Sequence, residues 1–242
     1  MFNHKIILLI NLFVLFCKGS SKVSPDFIQP CPGLKPDCLK RNFQETIPQF
    51  VKGIPSLGIP PMDPLHQDQD KINLDLPGNF KIEMTNGTVT GLRKCIVEDV
   101  RFDGLSVDLE LRCNITLKAK YKAIGRILIV SINGDGDAKI KTPNIILKAK
   151  INLEDKTRDG VVYREVKNYK VTYKFGETGS FVFTNLFKGN PELSQSVLAF
   201  LNENWKQVVE EFGKPIIDTI IHITFNIIKK FLSVVPSDEL YV

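Results

Sequence analysis

Few residues of this 242-residue chain have types and spacings that could do chemistry. Cys31, Cys38, Cys95 and Cys113 form one group, apart from Cys17 in an apolar N-terminal run. Four cysteines allow three pairings in an oxidising compartment. Cys31 and Cys38 lie close together in a Pro/Gly-rich segment and are expected to join. Cys95 and Cys113 are equidistant from Asp103-Gly104, which would place them opposite each other in a hairpin. Asp99 and Arg101 share parity with Val97, so a bulge is expected there, and one bulge would turn Cys95 to the other face. The spacing matches no zinc ligand set, and no histidine pair accompanies it. His66 lies in a charged loop and reads as solvated surface. His222 could pair with Asp218 or donate a hydrogen bond to a ligand's polar end; pairing is the favoured reading.

No Gly-x-Ser-x-Gly elbow and no His-Glu-x-x-His site occurs, so no catalytic residue, metal or cofactor is assigned and no enzyme is expected. The run from Asn133 to Asp137 resembles the start of a calcium loop. Ala138 stands where such a loop needs glycine and Asn144 where it needs glutamate, so a hairpin turn is expected instead. Asn86-Gly87-Thr88 and Asn114-Ile115-Thr116 are N-glycosylation sequons, which makes Asn86 and Asn114 the candidate attachment sites.

The elements that must position these residues begin with a leader. A short basic start, an apolar run over 6–16 and the small residues Gly19 and Ser20 describe a secretory signal peptide over 1–19. Residues 20–242 are then one elongated domain of a secreted, extracellular protein. Loss of Lys5 and Lys18 with the leader lowers the formal charge from +5 to +3. That charge is spread along the chain without an arginine-rich cluster, so nucleic acid is not an expected partner.

Asp37 is placed to cap a helix carrying Leu39, Phe43, Ile47, Phe50 and Val51, although Pro48 interrupts it. A proline-stiffened linker over 53–65 follows. The period then changes to two. Strict alternation from Val107 to Tyr121 describes a strand of about 50 Å with one wet face. Further strands are expected at 127–132, 145–153, 161–175 and 181–183, with turns at 133–136 and 155–160, making an antiparallel meander.

The longest apolar stretch runs over 191–235, capped by Asn190 and interrupted at Gly213 and Pro215. As a helix it would reach roughly 60 Å, too long for the core of a sphere. Asp218, His222, Asn226 and Lys229 form its narrow polar stripe, so most of its circumference must be covered. Asp218 and His222 also argue against a membrane span. The expected fold is α+β, a long C-terminal helix wrapped by a strongly curved antiparallel sheet. An interior of this kind can leave an apolar cavity, and the helix face nominates Trp205, Val208, Val209, Phe212, Ile216, Ile220 and His222 as its lining.

Several motifs carry a resemblance. Cys31 and Cys38, GIPSLGIPPMDPL at 53–65, NLFKGN at 185–190, FLNENWK at 200–206 and VPSDEL at 235–240 together resemble the insect takeout and juvenile-hormone-binding protein family, closest to its takeout branch. The resemblance implies a secreted, non-enzymatic carrier of the tubular lipid-binding superfamily. Its expected partners are a small elongated hydrophobic ligand (terpenoid, fatty acid or related lipid) and an unidentified receptor, and the carrier is expected to be a monomer without stable membrane insertion. A second reading is a membrane-surface lipid-exchange or signalling-partner protein hinged at Gly213 and Pro215.

Overall fold

In the computed structural model, residues 22–67, 72–76, 79–127 and 130–241 are described. The leader over 1–19 lies outside them. The alternation read from Val107 extends further than the sequence suggests, and strand β5 spans Ser106–Ile127. Its partner β6, Val130–Arg158, is longer still at 29 residues and runs antiparallel to it from Ser106↔Asn152 to Ile127↔Val130. Strand β3 (Phe80–Thr90) and strand β4 (Ile96–Asp103) lie end to end along the other edge of β5. Beyond β3 lie β1 (Leu65–Gln67) and β2 (Ile72–Leu76). The far edge of β6 carries β7 (Val161–Lys174) and β8 (Ser180–Phe183). All these pairings are antiparallel, and the sheet does not close into a barrel.

Two turn expectations meet different outcomes. The reversal into β7 sits at Asp159 and Gly160, both at positive φ (50° and 79°), within the expected segment. The hairpin turn expected at 133–136 is absent, because Ala123↔Gly134 and Lys120↔Asp137 pair inside an unbroken β6. The strands expected at 127–132 and 145–153 are therefore parts of one strand. Glycine is required at 134 and 136 for another reason. The chain after β8 crosses β6 so closely that a Cβ on Gly136 would lie 2.3 Å from the Thr184 carbonyl oxygen. The Thr184 and Asp135 amides then donate across this crossing, at 2.9 and 3.3 Å.

The bulge expected near Asp99 is present, between Val97 and Asp99. It leaves Cys95 facing Cys113, and the disulfide forms with Cα atoms 4.4 Å apart. Cys31 and Cys38 also join. Bulges at Thr85/Thr88 and Cys113/Ile115 bear Asn86 and Asn114, whose side chains are both exposed.

Helix α1 covers Pro36–Phe50 with Lys35 at the N-cap position, two residues before the Asp37 cap expected. Pro36 occupies the first turn, where no intrahelical donor is needed, and Pro48 falls in the last turn, where it leaves the Gln44 carbonyl without its usual i+4 donor but has little helix beyond it to disturb. The C-terminal stretch is three helices rather than two: α2 (Pro191–Glu203), α3 (Trp205–Phe212) and α4 (Lys214–Val234). Asn190 caps α2 as expected, accepting from the Leu193 amide at 3.0 Å. The unexpected break is at Asn204, whose amide donates back to the Phe200 carbonyl at 2.9 Å. The Gly213 break allows close packing, since a Cβ there would sit 2.4 Å from the Val209 carbonyl oxygen. Helix α4 buries Ile216, Phe225, Ile227 and Phe231. Phe225 stacks on Tyr169 of β7 at 3.8 Å, and Phe231 meets Phe50 of α1 edge-on at 5.1 Å.

Candidate ligand-binding site

The inward side chains of β5 and β6 are cross-strand partners: Leu109↔Ala149, Leu111↔Leu147 and Val107↔Ile151. In a filled core all would be fully buried, yet Leu109, Leu111, Leu147 and Ile151 are only half-buried. They face open space. A chamber of about 300 Å³ lies between α1, β4 to β6 and the end of α4, with Phe43, Ile47, Phe50, Phe231 and Leu232 in its wall. A second, of about 210 Å³, lies between the sheet and the start of α4, against Ile115, Leu117, Ile145, Ile216, Ile220 and Phe225. The chambers abut, sharing Leu92, Leu109, Leu111, Ile151, Thr224 and Ile228.

Leu92 reaches both chambers from a short turn held by a buried carboxylate. Asp63, 8 % exposed, accepts from the Gly91 amide at 3.2 Å and the Arg93 amide at 2.7 Å, while the Arg93 guanidinium donates to the Asp63 carbonyl at 2.8 Å. This explains the Met62-Asp63-Pro64 run: it fastens the wall. The chain ends close the larger chamber, with Ile28 and Gln29 from one terminus and Leu240 and Tyr241 from the other. Glu239 ties them together, accepting from the amides of Val23 at 2.9 Å and Ser24 at 2.5 Å. Burial alone would raise the Glu239 carboxyl, but those amides and Lys22 outweigh it and hold it below its ordinary pKa.

Of the seven lining residues expected from the helix face, Val209, Ile216 and Ile220 stand in the wall of the smaller chamber. Trp205 instead packs edge-on against Phe175 at 6.1 Å, with Gly179 so close that a Cβ there would touch the indole. Val208 joins the cluster around Trp205, and Phe212 is half-buried; both lie off the two chamber walls. His222 is exposed, and its expected pairing with Asp218 does not form. Each finds a partner one turn away on the opposite side: Asp218 with Lys214, and His222 with Asn226 at 3.0 Å. The sheet residues Leu109, Leu111 and Leu147, and the α1 residues Asn42, Phe43 and Thr46, were missed. The period-two alternation marks the sheet residues as inward-facing, but α1 showed only its amphipathic face.

Polar groups are few and uncharged. Gln29, Asn42, Thr46 and Tyr241 line the larger chamber, Thr142 the smaller, and Thr224 both. Among the described residues no carboxylate, ammonium, guanidinium or imidazole lines either. Asn42 is partly committed, its amide donating to the Gln29 carbonyl and lying 3.0 Å from Cys31 Sγ. The Tyr241 phenol is pushed up to about 12, chiefly by burial and further by Asp155, with Arg164 opposing, so it stays neutral. Among the described residues no cluster of His, Cys, Asp or Glu could hold a metal ion, and no helix is long and apolar enough to cross a membrane.

An open antiparallel sheet laid on apolar helices, enclosing charge-free chambers, defines a hydrophobic-ligand-binding class of architecture. The comparisons with known proteins agree. The family model described as haemolymph juvenile hormone binding protein (JHBP) matches residues 8–242, and the chain belongs to that family. The circadian clock-controlled protein daywake of Drosophila yakuba is 26 % identical over 237 residues, covering 92 % of this chain and 90 % of the relative. Its Drosophila melanogaster counterpart is 25 % identical over 238 residues, with the same coverage. The crystal structure of Epiphyas postvittana Takeout 1 superposes with a TM-score of 0.80 at 37 % identity, covering 86 % of this chain and 96 % of that one.

Proposed function

We propose that this protein is a secreted, monomeric, non-enzymatic carrier that encloses one elongated apolar ligand, a terpenoid, fatty acyl compound or related lipid, in its uncharged form. One observation carries the reading: two abutting apolar chambers of about 300 and 210 Å³ whose described walls hold hydroxyls and amides but no charge. A few hundred Å² of ligand surface removed from water would contribute several kcal/mol at roughly 25 cal/mol per Å², less the cost of immobilisation. The amides and hydroxyls around Asn42 and Thr46 suit a neutral polar end, and the smaller chamber, whose polar side chains are Thr142 and Thr224 among otherwise apolar ones, suits a chain. Secretion is supported by the leader pattern over 1–19 and by the family's haemolymph description.

Mass spectrometry of the protein purified from a eukaryotic secretion host, after mild organic extraction, tests the reading. A co-purifying neutral lipid, displaced stoichiometrically by an added apolar probe, is the expected result. Neither endogenous lipid nor probe binding at micromolar concentration would remove the support for a carrier.

A further inference from the structure

The outer face of the sheet is charged along most of its length, and several of its cations sit beside carboxylates. Lys148 pairs with Glu110 at 2.9 Å, Lys120 with Asp137 at 2.6 Å and Arg112 with Glu98 at 2.6 Å. Lys150 and Lys170 also stand opposite each other, but Asp108 lies across from Lys150; one group has no carboxylate in any opposed position. Lys118 of β5 stands directly opposite Lys139 of β6, and Lys141 is next along β6, opposite Thr116. The flanking strands offer Thr88 and Thr90 on one side and Val182 and Ser180 on the other, with no carboxylate in those positions. Among the described residues none of the three lysines meets an acid. Like charges directly opposed across a ladder destabilise it, and the nearest carboxylate on this face, Asp137, is already paired with Lys120. Lys118 and Lys141 are exposed, and beside them Val182 is 46 % exposed; further along the same face Ile124 is 64 % exposed.

We propose that this face, centred on Lys118, Lys139 and Lys141, docks on the surface of an anionic phospholipid bilayer. Three uncompensated ammonium groups on long flexible stems complement a broad negative surface. The neighbouring hydroxyls of Thr88, Thr116 and Ser180 can donate to phosphate oxygens, and Val182 can settle among the headgroups. The face is the outer side of the strands whose inner side lines the chambers, so docking leaves the helices and chain ends on the chamber side uncovered.

Flotation of the full chain with vesicles of phosphatidylcholine alone, or mixed with phosphatidylserine, tests the proposal. N-glycans are first removed enzymatically, because Asn86 and Asn114 flank the face. The protein is expected to float with the mixed vesicles at low salt, to stay behind with the neutral ones, and to be released by added salt. Each lysine is worth about fivefold near such a surface, so combining Lys118→Gln, Lys139→Gln and Lys141→Gln should weaken partitioning by roughly a hundredfold. A control combining Lys40→Gln, Lys52→Gln and Lys206→Gln removes the same charge from exposed positions elsewhere and should change it little. Thermal melting and apolar-probe binding, measured in parallel, establish that both variants fold and load, so the carrier reading is judged separately. Equal flotation with neutral vesicles, equal losses in the two variants, or binding of polyglutamate by these lysines without binding of anionic vesicles would each overturn the proposal.

Discussion

The charge-free walls predict how the protein treats a carboxylate. A long-chain alcohol or methyl ester places an uncharged end against Asn42, Thr46 or Thr224. The matching fatty acid would bring a carboxylate that no described lining residue can pair, and such a group takes up a proton rather than enter unpaired. With an ordinary carboxyl pKa near ~4.3, neutralisation at about pH 8 costs about 5 kcal/mol, at about 1.36 kcal/mol per pH unit. The acid should therefore bind several thousandfold more weakly than the alcohol at about pH 8, and gain about tenfold for each unit the pH falls towards 5. The described chamber walls hold no group that changes charge over this window. Tyr241, the one titratable group among the described wall residues, is pushed up to about 12, and Glu239 is held below its ordinary value and stays ionised. Displacement of a fluorescent apolar probe by hexadecanol, methyl hexadecanoate and hexadecanoic acid across that range is the assay. Equal competition by acid and alcohol at about pH 8, or a flat pH profile for the acid, would refute the reasoning, because the carboxylate would then be meeting a cation or water.

Thr224→Phe, at the wall common to both chambers, should divide them. Calorimetry is expected to show long-chain probes losing tenfold or more while short ones still fill one chamber, with an overpacking penalty of about 1–3 kcal/mol. Asp63→Ala strands the Gly91 and Arg93 amides next to Leu92, and a stability loss of about 2–4 kcal/mol in denaturant titration is expected. Glu239→Gln removes the charged acceptor of the Val23 and Ser24 amides, so hydrogen exchange at those amides should quicken. The wild-type contribution has a definite sign: a depressed carboxyl stabilises above its unfolded pKa and loses that stability as pH falls through its folded value, so the protection of the Val23 and Ser24 amides, measured relative to their intrinsic exchange rates, should fall in acid.

Local patterns were legible wherever one residue's own chemistry decides the geometry. The alternation in β5 predicts its inward side, Asn190 its cap and Gly213 its break, and the equal spacing of Cys95 and Cys113 from Asp103-Gly104 predicts their bond. The reading failed where a distant segment decides. Asn133-Gly134-Asp135-Gly136 has turn composition, but its glycines serve the crossing chain at Thr184 and Leu186, fifty residues away in sequence. His222 and Asp218 are correctly spaced to pair, and Asn226 and Lys214 compete successfully at the same spacing. Trp205 and Leu109 are equally apolar, yet one packs and the other faces space. Periodicity reports which side a residue takes, not whether that side is filled.

The open interior follows from a mismatch of lengths. At about 3.3 Å per residue β5 extends over roughly 70 Å, whereas α4 covers only about 30 Å. The apolar stretch cannot span the sheet as one rod, because Asn204 and Gly213 divide it. Separate helices must therefore share the inner face, and α1 arrives from the other end of the chain. Helices meeting over one curved sheet pack well along their bodies and poorly at their seams. Both chambers lie at such seams: the larger where Phe43, Ile47 and Phe50 of α1 approach Ile228 and Phe231 of α4, the smaller where Val209 of α3 and Gly213 precede Ile216 and Ile217 of α4. The breaks that shorten the helix thus make the space, and the alternation that builds the sheet makes that space apolar.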